Sequence, residues 1–93
     1  MFKTNEYFDG KVKSISFNTK KYPATIGVME KGEYVFGTSS IEHMTVTSGK
    51  MDVLLPGETE WQTYRKFETF IVPKDVKFKV RVEGDTSYRC LYK

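Results

Sequence analysis

Residues 76–82 alternate without a break. Val76, Phe78, Val80 and Val82 interleave with Lys77, Lys79 and Arg81. Side chains alternate across an extended chain, so this spacing predicts a strand with an apolar face on a core and a basic face in water. Residues 11–17 also alternate polar and apolar at period two. Shorter runs at 24–29, 33–36, 44–48, 50–55, 60–64, 68–72 and 88–92 are cut by turn residues. Gly49 reads as a tight hairpin between 44–48 and 50–55, while Pro56-Gly57, Pro73-Lys74-Asp75 and Gly84-Asp85 end other runs. No stretch of ten residues carries a 3.6-residue period. Strands recurring about every 8–12 residues predict an all-β sandwich or barrel.

Composition narrows this picture. The 93 residues suit one domain, 1–93, with 39% apolar and 29% charged residues. The longest apolar runs, Val53-Leu54-Leu55 and Phe70-Ile71-Val72, fall far short of the roughly 20 residues of a membrane helix. No basic-then-apolar leader resembles a secretory signal. A single cysteine, Cys90, excludes an internal disulfide and a four-thiolate zinc site. It reads as a small buried apolar residue. A single histidine, His43, argues against a His-rich metal site or a Ser-His-Asp triad, and should point away from its neighbour Glu42.

The charge of +3 is modest, but 15% aromatic content is high. Basic plus aromatic residues can mean nucleic acid or the filling of a small barrel. The row Lys77, Lys79, Arg81 has no interleaved aromatic on which a base could stack. It therefore reads as a solvated face, and no nucleic-acid partner is expected. So small a domain hides only about 60–65% of its unfolded surface. Dimerisation through apolar strands would add burial, so an oligomer is expected.

The segment from Glu42 through Gly49, then Val53-Leu54-Leu55-Pro56 and Phe70-Ile71-Val72-Pro73, resembles the core of a cupin, a small jelly-roll β-barrel. Cupin motifs supply three histidines and a glutamate to a metal. Setting Gly49 on the closing glycine of the first motif puts Glu42 on the glutamate and Phe36 and Thr38 on two histidines. Pro73 anchors the second motif, with Phe78 on the third histidine and Phe67 and Asp75 in place of its glycines. The resemblance thus implies a cupin without its metal, because one carboxylate cannot hold a transition metal well. The pocket would be aromatic, with Glu42 and Thr38 as its polar groups.

A narrower resemblance covers nearly the whole chain. Asn5-Glu6-Tyr7-Phe8, Gly10-Lys11-Val12-Lys13-Ser14-Ile15, Gly32-Glu33-Tyr34-x-Phe36, Glu42-x-Met44-Thr45-Val46 and Ser87-Tyr88-x-Cys90-x-Tyr92 occur in order. They resemble the single-domain pyrimidine/purine nucleoside phosphorylases of bacteria. The resemblance implies phosphorolysis of nucleosides of both base classes to free base and pentose 1-phosphate. It also implies a cytoplasmic homodimer that needs inorganic phosphate but no cofactor. It brings no assigned catalytic residues.

Cleaving an N-glycosidic bond builds positive charge on the sugar. Glu42 could stabilise that charge or accept hydrogen bonds from ribose hydroxyls, and Thr38 could donate to phosphate or ribose; each could equally be a satisfied strand residue. Tolerance of both base classes suits an apolar slot better than a fixed hydrogen-bond pattern. Tyr34, Phe36, Phe78, Trp61 and Tyr64 are candidates for base stacking, although a small barrel also needs them as filling. For phosphate the sequence leaves Arg89, Lys11, Lys13 and Lys50 open. A non-enzymatic metabolite- or sugar-binding cupin is the competing reading, and a cold-shock-like nucleic-acid binder a weaker third.

Overall fold

A computed structural model describes residues 1–93 and contains strands but no helix. The strands are β1 (Lys3–Tyr7), β2 (Val12–Asn18), β3 (Pro23–Met29), β4 (Gly32–Gly37), β5 (Glu42–Ser48), β6 (Lys50–Leu54), β7 (Gln62–Arg65), β8 (Thr69–Val72), β9 (Lys77–Val82) and β10 (Thr86–Tyr92). They form two antiparallel sheets. The larger runs β1-β2-β3-β10-β5-β8 and the smaller β4-β9-β6-β7.

The alternation of β9 is realised as expected: Phe78, Val80 and Val82 are buried and Lys77, Lys79 and Arg81 are exposed. Val80 sits between Tyr34 on β4 and Val53 on β6. With Val12, Met29, Val46, Met51 and Val72, these residues form one core between the sheets. Burying such side chains at about 1.5–3 kcal/mol each is what opposes the entropy of ordering so short a chain.

Two local expectations are corrected. Gly49 does not close a hairpin: β5 pairs with β10 and β8, whereas β6 pairs with β9 and β7. One residue is too short a loop to fold a strand back on its neighbour, so the chain turns a corner from one sheet to the other. Gly49 makes that corner at φ +83°, where an added Cβ would lie 2.8 Å from Thr86 Oγ1. The second correction is β1, for which the sequence gives no strand signal. Lys-Thr-Asn-Glu-Tyr is polar on both faces, and the segment is held by its backbone pairing to β2.

The resemblance to cupins placed Phe67 and Asp75 where those motifs carry glycine. Both adopt the left-handed conformation, at φ +69° and +60°. The backbone thus keeps the shape that glycine favours, at a cost in strain, which supports the register chosen from Gly49 and Pro73.

Candidate functional site

Glu42 opens β5, and its parity turns it with Met44 and Val46 toward the concave side. His43 is thereby turned to the opposite face, as expected. Tyr92 of β10 lies directly across from Glu42 on one side and Val72 of β8 on the other. The Cys90 thiol donates to Glu42 Oε1 at 3.5 Å. None of the chain's ion pairs involves Glu42. Burial raises the Glu42 carboxyl above the usual range, and the thiol's hydrogen bond offsets this only in part.

Glu42 looks into a chamber of about 340 Å³, at the low end of small-ligand pockets. Phe8, Phe36 and Phe78 line its apolar side, and Ser14, Tyr88 and Tyr92 lie with Glu42 on the polar side. Phe36 and Phe78 pair across β4 and β9 with ring centroids 5.8 Å apart. Phe8 meets Phe36 edge-on at 5.6 Å. It does so from a left-handed conformation at φ +53° in the β1–β2 turn, so aromatic packing holds a strained residue over the chamber. Burial, and the negative charge that Cys90, Tyr7 and Glu42 would carry nearby, pushes the Tyr88 hydroxyl up to about 12. Burial likewise raises Cys90 and Tyr92. At neutral pH this wall therefore presents neutral O–H and S–H groups beside one carboxyl.

A second cavity of about 750 Å³ covers the outer end of the same concave wall. Tyr7 and Tyr92 line both spaces. Its polar groups are Lys3, Asn5, Ser16, Asn18, Thr25 and the Tyr92 hydroxyl.

Of the residues singled out from sequence, Glu42, Phe36 and Phe78 come together. The others do not line the chamber with them, although Tyr34 packs on Phe36 from below with ring centroids 6.2 Å apart. Thr38 Oγ1 donates to Pro73 O at 2.7 Å and accepts from Val76 N at 3.1 Å. Its hydroxyl is consumed in clasping the end of β4 to the β8–β9 turn. Tyr34 is buried beneath the chamber, donating its hydroxyl to Glu30 O. Tyr64 packs on Phe70 at 4.7 Å. Trp61 lies outside the barrel over the Arg81 guanidinium, 4.1 Å away, where Arg81 Nε also donates to Asp52 Oδ2. Arg89 is exposed on the outer face, between Ile26 and Thr45. Lys13 pairs with Glu6 and Lys50 with Glu83, and neither they nor Lys11 line either cavity.

Ser14, Ser16, Thr25 and Asn5 were missed. A signal for them exists. In β2 and β3 the usual pattern is inverted: Ser14, Ser16, Thr25 and Gly27 face inward, while Ile15, Ile26 and Val28 face outward and are about half exposed. Gly27 is needed there because a Cβ would fall 2.6 Å from the Tyr88 ring.

The profile of the pyrimidine/purine nucleoside phosphorylase family matches residues 2–92. A protein of Alcanivorax borkumensis with that name is 60% identical over 92 residues, 99% of this chain and 98% of its own length. The chain belongs to the pyrimidine/purine nucleoside phosphorylase family. Among solved structures, a protein of unknown function from Vibrio parahaemolyticus superposes with TM-score 0.96 at 42% identity, covering 100% of this chain and 99% of that one. An RmlC-like cupin from Shewanella frigidimarina superposes with TM-score 0.76 at 18% identity over 98% of this chain and 82% of that one, which shows the cupin-type fold. In the register set from Gly49 and Pro73, this chain carries Phe36, Thr38 and Phe78 where the resemblance puts that fold's imidazoles. No three His, Cys, Asp or Glu side chains gather into a metal-holding group. This donor set does not fit the cupin metal.

Proposed function

We propose that the chain catalyses phosphate-dependent, metal-independent cleavage of purine and pyrimidine nucleosides to free base and pentose 1-phosphate. The observation that carries the reading is a half-buried carboxyl, Glu42, facing an aromatic slot in a chain of this family. The base lies against Phe36, Phe78 and Phe8, whose faces accept either ring size. The pentose lies against Glu42 and Tyr92, with Glu42 accepting from ribose hydroxyls and opposing the positive charge that grows on the sugar. A phosphate oxygen bonds to C1′ as the C1′–N bond breaks. The bonding pair leaves with the base nitrogen, which takes the proton that hydrogen phosphate brought. Substrates and the protein's own groups suffice for this balance.

Incubation with uridine and with adenosine, with and without phosphate, tests the reading. Base release that requires phosphate and survives EDTA supports it. Tight nucleoside binding without turnover supports the metabolite-binding alternative. We further propose a cytoplasmic homodimer joined through the outward Ile15, Ile26 and Val28, since burying exposed aliphatic surface favours association. An Ile26→Asp variant should then elute as a monomer in size-exclusion chromatography.

A further inference from the structure

We propose that the second cavity is the anion subsite, with Lys3, Ser16 and the Thr25–Tyr92 pair binding inorganic phosphate. The inference rests on the phosphorolytic reading above and supplies its missing phosphate ligands.

Lys3, Ser16 and Thr25 are successive cross-strand partners on β1, β2 and β3. Neighbouring strands lie about 4.8 Å apart, so the three side chains form a short row along one wall. Asn5 Nδ2 donates to both Ser14 Oγ and Ser16 Oγ, at 3.1 and 3.0 Å. Ser16 Oγ is thereby engaged as an acceptor, and its own proton is left to point at another group. Thr25 Oγ1 and Tyr92 Oη share one hydrogen bond of 2.9 Å. Two hydroxyls carry two protons and this bond uses one, leaving one for which the neighbouring Cys90 sulfur and a bound anion compete. The Lys3 ammonium adds charge.

No carboxylate lines this cavity, and no Lys or Arg lines the Glu42 chamber. Acceptor and cation are thus kept on opposite sides of Tyr92. A tetrahedral oxyanion with several acceptor oxygens matches converging donors with one cation. Because Tyr7 and Tyr92 line both spaces, an oxyanion held at this shared wall presents an oxygen to C1′ of a pentose against Glu42 at the close contact that attack requires.

Lys3→Ala and Ser16→Ala test the assignment through separate apparent KM values for phosphate and uridine, with titration calorimetry of inorganic phosphate alone. The phosphate KM should rise about tenfold or more in each variant, with the uridine KM within about twofold of the parent and Lys3→Arg restoring most of the loss. An unchanged phosphate KM in both alanine variants, in a protein that performs phosphorolysis, overturns the subsite and leaves the phosphorolytic reading standing. If the parent shows no phosphorolysis, that reading fails, and calorimetry then decides the subsite. Phosphate binding that is lost in both variants upholds it; absent or unaltered binding overturns it.

Discussion

The two sheets face each other across one interior yet present opposite chemistry to it. The smaller sheet contributes Tyr34, Phe36, Phe78, Val80 and Val53, all apolar or aromatic. Its polar residues are outside, where Asp52 binds Thr63 at 2.6 Å and Arg81 at 3.1 Å. The larger sheet is apolar at the β5–β8 end, with Met44, Val46, Phe70 and Val72, and polar toward β1, with Asn5, Ser14, Ser16 and Thr25. A sheet built only for stability would carry its aliphatic residues inward throughout. On β2 and β3, Ile15, Ile26 and Val28 are outward instead, so core burial has been given up along the wall where polar groups meet the cavities. The smaller sheet supplies an aromatic and apolar surface; the larger supplies hydrogen-bonding groups.

Substitutions can break this contrast, and their expected effects decline in order. Phe78 is 2% exposed and touches both the core and the chamber. Phe78→Ala should cost about 3–5 kcal/mol, measured by urea unfolding, because it leaves a cavity in the aromatic wall. On the polar wall, Gly27→Ala forces the Tyr88 ring off β3. It should cost about 1–3 kcal/mol and lower turnover by displacing the chamber's Tyr88. A loss of stability with unchanged kinetics would separate Tyr88 from the site. Phe67 belongs to neither wall and is 72% exposed in a left-handed conformation. Phe67→Gly should raise stability by up to about 1 kcal/mol through relief of that strain, seen as a higher thermal midpoint.

Much of the smaller sheet could be read from sequence, because Val76 to Val82 obeys a single rule from end to end. The shared placement of Glu42 and Phe78 on one chamber was also legible, because Gly49 and Pro73 suggest a register with which the left-handed Phe67 and Asp75 agree. The polar wall was not. Ser14, Ser16 and Thr25 look like ordinary strand residues until pairing shows which side they face, and Asn5 lies on a strand with no apolar alternation to announce it. Thr38 and Trp61 misled for the opposite reason. Residue type suggested chemistry, but Thr38 spends its hydroxyl on a turn and Trp61 covers Arg81 outside the barrel.

Glu42 is where the two walls meet, and its burial gives the most direct test. Its raised affinity for a proton means that the folded state binds more protons than the unfolded chain. Stability associated with Glu42 is therefore fully present below the ordinary carboxylate range and falls as pH rises through its elevated folded value. Replacing it with a neutral isostere should remove that loss, so a site that sacrifices stability for chemistry reveals itself in one variant. The measurement is the initial rate of phosphate-dependent uridine cleavage by Glu42→Gln at pH 7, paired with its thermal midpoint. The rate should fall at least about tenfold, which is about 1.4 kcal/mol of transition-state stabilisation, while the midpoint rises. A parental rate in a folded Glu42→Gln protein would contradict the account.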